Sequence, residues 1–66
     1  MAKQRHHRKA KTNGGTFAKR NISRVNPKPH QAYHILFGTA DTFGVAKILN
    51  DTWIDMDYKL VVVKRN

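Results

Sequence analysis

HHRKAKTNGGTFAKRNISRVNPKPHQAYH, residues 6–34, carries the turn, strand and helix signals of the N-terminal half. All four histidines fall in it, His6 and His7 at its start, His30 and His34 near or at its end. Asn13-Gly14-Gly15 is a turn signal, because asparagine and glycine tolerate positive φ. Asn21-Ile22-Ser23-Arg24-Val25 then holds a short β-prone run with apolar Ile22 and Val25 at its ends, which reads as a strand. Residues 4–25 therefore read as a hairpin with a long basic connection. Asn26 is placed to cap a helix, Pro27 suits its first turn, and Gly38 suits its end. The pattern predicts a helix over about 27–37, with Ala32, Ile35 and Leu36 on its apolar face and Tyr33 and Phe37 extending it.

Residues 38–66 read as support. Asp41 is placed to cap a second helix over about 42–50, with Val45, Ile48 and Leu49 on one side. Asp55-Met56-Asp57 reads as a turn, and residues 58–63 as a C-terminal strand ending in a charged tail. The expected class is α+β in a single domain, residues 1–66. Within it lie a basic N-terminal segment (1–5), a ββα core (6–37) and a supporting helix and strand (38–66). Trp53, Tyr33 and Phe37 are read as core aromatics rather than as platforms for bases.

A chain of 66 residues buries only about 60% of its unfolded surface, so its apolar core is small. Such chains gain stability from disulfides, a metal or an oligomeric interface. There is no cysteine, which excludes disulfides and thiolate zinc sites. No apolar run has the length of a membrane span, and the basic N-terminus lacks the apolar stretch of a secretory signal. A cytoplasmic protein with no membrane partner is the expectation.

Charge narrows the partner. The formal net charge is +9. Residues 1–30 carry nine Lys and Arg and no acid, whereas residues 31–66 carry four of each sign. Solubility does not require one half of a chain to be a polycation. A polyanion does, and nucleic acid is the commonest one, bound through its phosphates with release of counterions. Arg5, Arg8, Lys9, Lys11, Lys19 and Arg20 are the candidate backbone contacts.

The histidines carry the chemistry. His30 and His34 lie four apart, on one face of the predicted helix, a spacing that can chelate one metal ion. His6 and His7 are adjacent in a predicted strand and point to opposite faces. One can then face the helix and join the metal site while the other is free to act as a base. With His6, His30 and His34 as ligands a coordination position stays open, as in catalytic rather than structural sites. His7 is then the spare imidazole, of a type that exchanges protons near neutral pH.

The order and spacing of His6-His7, Gly14-Gly15, Asn21 and His30-x-x-x-His34 resemble the ββα-metal core of the HNH endonuclease superfamily, its colicin-type branch above all. The resemblance implies that His6, His30 and His34 hold one divalent metal ion (Zn, Ni, Mg or Mn). It implies that His7 is the general base and that Asn21 fixes the loop and orients that base. The implied activity is metal-dependent hydrolysis of phosphodiester bonds in nucleic acid, DNA in preference to RNA. The alternative is a non-catalytic basic protein of the same fold, bound to RNA or a ribosome. A homodimer or a larger nucleoprotein is a further expected partner, and a third reading is a small effector that occludes a protein target.

Overall fold

The computed structural model describes residues 2–65. Two short strands, β1 (Gln4–His7) and β2 (Ile22–Val25), pair antiparallel. In register, Gln4 faces Val25, Arg5 faces Arg24, His6 faces Ser23 and His7 faces Ile22. Two helices follow, α1 (Pro27–Phe37) and α2 (Thr42–Ile48). This is a small α+β fold, a hairpin with a helix across it and a second helix behind. No described helix is long and apolar enough to cross a membrane.

The long hairpin connection is ordered by its own backbone. Short 3₁₀ turns at Lys11–Asn13 and Lys19–Asn21 bracket it. Gly14 adopts φ of 89°, the left-handed region that favours glycine. Gly15 is needed for a different reason: its N–H donates to the Ala10 carbonyl at 2.9 Å, and a Cβ there would overlap the Lys9 carbonyl. Gly15→Ala is therefore expected to cost about 2 kcal/mol or more through backbone displacement, read as a lower denaturation midpoint. Gly14→Ala, whose Cβ would meet only the Lys9 side chain at van der Waals distance and carry a φ penalty, is expected to cost about half as much.

Helix α1 begins at Pro27, but Asn26 makes no side-chain cap hydrogen bond, contrary to expectation. Proline's fixed φ sets the start, and the Asn26 carbonyl accepts the first helical bond from His30 N–H at 3.1 Å. Gly38 closes the helix at φ 57°, its N–H donating to the His34 carbonyl. At α2 the expected cap is present: Asp41 Oδ1 accepts from Gly44 N–H at 2.8 Å. α2 does not simply end at residue 50. It widens into a π-helical turn over Leu49–Trp53, where the Ile54 N–H reaches the Leu49 carbonyl at 3.0 Å.

Three further expectations fail. The face of α1 carrying Ala32, Ile35 and Leu36 points outward, with Ile35 75% exposed. The inward face is His30, Tyr33 and Phe37, because the helix is turned to bring its histidines and Tyr33 against His6. Trp53 is exposed rather than core. The C-terminal strand over 58–63 is also absent. The segment has no regular structure and pairs with neither described strand; it lines a groove with Val45, Ala46 and Leu49 of the second helix region. Its tie is to a side chain: Leu60 N–H donates to Asn50 Oδ1 at 2.8 Å, and Asn50 Nδ2 donates to the Leu60 carbonyl at 3.0 Å. Among the described residues none is fully buried. The apolar core alone is thus too thin to hold this fold.

Candidate metal centre

Strand alternation sends Gln4 and His6 to the face of the hairpin that meets α1, and Arg5 and His7 to the other. The α-helical period sends His30 and His34 to the same place from the other side. The result is a cluster of three imidazoles, His6, His30 and His34, each offering one nitrogen, all within 4.8 Å of one another. The His30 and His34 Nε2 atoms are 2.9 Å apart. Tyr33 packs edge-on against His6 at 4.8 Å between ring centres. His6 and His30 also line a cleft of about 230 Å³ with Val25, Pro29 and Tyr33.

The donor set fits a divalent ion. Zinc–nitrogen bonds of about 2.0–2.1 Å in a tetrahedron set neighbouring nitrogens about 3.3–3.4 Å apart. The cluster needs only small side-chain movements to reach that spacing. Imidazole donors suit zinc, nickel, copper and iron, while magnesium and manganese favour oxygen.

Gln4 is a site residue that the sequence reading missed. Its Oε1 lies 2.8 Å from His30 Nδ1. An amide oxygen only accepts, so His30 carries its proton on Nδ1 and presents Nε2 as a lone pair toward the cluster. This is the outer-shell contact that fixes a ligand's tautomer and ring orientation. The signal was available, since Gln4 shares a strand face with His6 at i, i+2. Gln4→Ala is expected to weaken metal binding roughly 10- to 100-fold, measured by competition with a chelating dye, without loss of the hairpin.

Electrostatics favour a metal over protons. The His6 pKa lies below its ordinary 6.5, first because burial penalises the charged ring, then because His30, His34, His7 and Arg8 repel a proton there. A neutral imidazole is the form that binds metal.

The other site residues occupy two further places. His7 lies on the opposite face of the hairpin from the cluster, packed edge-on against Phe17 at 4.6 Å. Its Nε2 is buried and has no hydrogen-bond partner among the described residues. Asn21 ties the loop. Its Oδ1 accepts from Lys9 N–H at 2.7 Å, and its Nδ2 donates to the carbonyls of Lys9 at 3.1 Å and Thr16 at 2.7 Å. The Asn21 carbonyl also accepts from Arg8 N–H. The residues that follow His7 are thereby fixed.

The cations divide between two surfaces. Arg8, Lys9 and Arg20 line a groove of about 600 Å³ with Thr16, Thr42 and, from the far end of the chain, Arg65. Arg5 and Lys19 line a second with Arg24, Phe17 and Ile22. Lys11 stands over the Phe17 ring at 4.8 Å. No acid lines either groove. Arg5 and Arg24 face each other across the strands, an arrangement that repels unless an anion joins it. Arg65 and Arg24 were not singled out from sequence; no local motif marks a cation that joins a groove from another segment.

No protein-family model, curated protein or solved structure matches this chain.

Proposed function

We propose that the chain is a minimal HNH-type nuclease that hydrolyses phosphodiester bonds of nucleic acid, DNA in preference to RNA, with one divalent metal ion. The observation that carries this reading is the convergence of His6, His30 and His34 at the junction of hairpin and helix. Three protein ligands leave a position open for a substrate oxygen. When bound, the ion would supply Lewis-acid stabilisation of charge on the scissile phosphate and the leaving oxygen.

The chain's own residues have the following parts. Arg8, Lys9 and Arg20 hold backbone phosphates in one groove, and Arg5, Lys11 and Lys19 extend the cationic surface around Phe17. Asn21 keeps the loop after His7 in place. His7 accepts the proton of the attacking water. Phe17 is 60% exposed, so its ring can leave the imidazole without opening a core. The test is nicking of supercoiled plasmid across zinc, nickel, magnesium and manganese, with excess chelator as control. Cleavage that needs metal supports the reading; none with any ion removes it.

A second reading is favoured by one specific observation. His7 Nε2 is covered, and its ring lies across the hairpin from the metal ligands. In that reading the ion is a structural staple and the protein binds nucleic acid, RNA included, without cutting it. Binding would then be strong and steeply salt-dependent, and plasmid would stay supercoiled.

A further inference from the structure

The two cationic grooves differ in chemistry. The groove of Arg8, Lys9, Arg20 and Arg65 has no aromatic ring in its wall. The groove of Arg5, Lys19 and Arg24, about 530 Å³ in volume, has Phe17. Directly opposed residues of an antiparallel pair share a face. Arg5 and Arg24, like His7 and Ile22, therefore lie on the hairpin face away from the metal cluster. Phe17 is 60% exposed there. Its ring meets His7 with the planes at 77°, and the Lys11 ammonium stands over it at 4.8 Å from the centroid. A π face is thus within reach of a group arriving from solvent. None of Arg5, Lys11, Lys19 and Arg24 has an acidic partner among the described residues.

Cations alone suit any polyanion. An exposed ring among them suits one whose bases are free. Stacking on an aromatic side chain needs an open base face, and inside a duplex each face is covered by the next base pair. A single strand supplies both parts, phosphates for Arg5, Lys19 and Arg24 and a base for Phe17. A stacked base is worth more than an exposed cation–π contact. The base therefore displaces Lys11 from the ring and leaves its ammonium for a neighbouring phosphate.

We propose that the Phe17 groove binds an unpaired base together with its flanking phosphates, giving single-stranded stretches an anchor that a duplex cannot use. This rests on nucleic acid being the partner, which both functional readings share, and it names the form of nucleic acid. It also seats the strand on the hairpin face that carries His7.

Fluorescence anisotropy of zinc-loaded protein tests this with labelled DNA probes of one length: a thymidine strand, an abasic strand and a duplex. Binding is read in stopped flow, ahead of any turnover. The parent is expected to hold the thymidine strand more tightly than the abasic one, a comparison that needs no variant. Phe17→Ala is expected to weaken the thymidine strand roughly 5- to 150-fold, leave the abasic strand and the duplex unchanged, and keep the salt slope. Phe17→Trp is expected to restore the loss. Arg24→Gln is expected to lower the salt slope for the thymidine strand by about 0.7, the value for one lost phosphate contact. Zinc binding by each variant checks that it has folded. Equal affinity of the parent for the thymidine and abasic strands overturns the proposal, as does a Phe17→Ala loss shared by all the probes. No binding to any probe removes the nucleic-acid reading itself. Binding of every probe alike leaves that reading standing and removes only this inference.

Discussion

Adding zinc to metal-free protein is expected to raise its melting temperature by roughly 15–30 °C, and excess chelator is expected to reverse the rise. The magnitude follows from binding to the folded state alone. A ligand at a thousand times its dissociation constant stabilises by about 4.1 kcal/mol. In a domain of this size each kcal/mol moves the midpoint by roughly 4–8 °C. The effect is large because the competing source is weak, with no fully buried residue among those described. Differential scanning fluorimetry or circular dichroism reads the midpoint directly; Trp53 is exposed, so tryptophan emission is the poorer probe.

Stability and metal binding both depend on pH. His6 has its proton affinity lowered in the fold, chiefly by burial and then by the neighbouring His30 and His34. The unfolded chain thus binds the proton more readily than the folded one, and stability rises with pH across this window. Metal-free protein keeps the full contribution above the ordinary pKa of 6.5 and loses it as pH falls from there through the lowered folded value. Protons also compete with metal for the same nitrogens, so the zinc-dependent rise in midpoint shrinks over the same range. A midpoint that rises on acidification from pH 7 would contradict the assignment of His6 as a covered, neutral ligand.

His7→Ala is expected to lower metal-dependent plasmid nicking roughly 10²- to 10⁴-fold, the range for loss of a general base, while leaving zinc binding in place. His30→Ala is expected to abolish both. The two variants separate chemistry from scaffolding, because His7 packs on Phe17 rather than against the other imidazoles. Phe17→Ala sharpens the test. It removes the ring packed against His7 and should at least preserve the rate if His7 is the base. Nicking that survives His7→Ala at full rate removes His7 from the chemistry. Metal-stabilised protein that never nicks, yet binds nucleic acid with a steep salt dependence, selects the binding protein instead.

Much of the hairpin, α1 and the histidine cluster was legible in the sequence because each was marked locally. The β-branched Ile22 and Val25 marked β2, Pro27 and Gly38 bounded α1, and an i, i+4 pair needs only the helical period to converge. What was not legible depended on distant partners. The β-prone residues 58–63 have the composition of a strand, but they pair with neither described strand, and Asn50 ties them instead. Ile35 and Leu36 carry the apolar pattern of α1, yet the helix is rotated to put His30 and Tyr33 against His6. Gln4 looks like any polar strand residue until His30 is folded beside it. The covering of His7 by Phe17 joins residues ten apart across an irregular loop, for which no periodicity gives a rule.

Three imidazoles are expected to hold one ion at the hairpin–helix junction. Isothermal titration of metal-free protein with zinc tests it most directly, with His6→Ala, His30→Ala, His34→Ala and His7→Ala run alongside. The predicted result is one ion per chain in the parent and in His7→Ala, with binding lost or weakened by orders of magnitude in the other three. An unchanged isotherm in any of those three, or no binding by the parent, would contradict it.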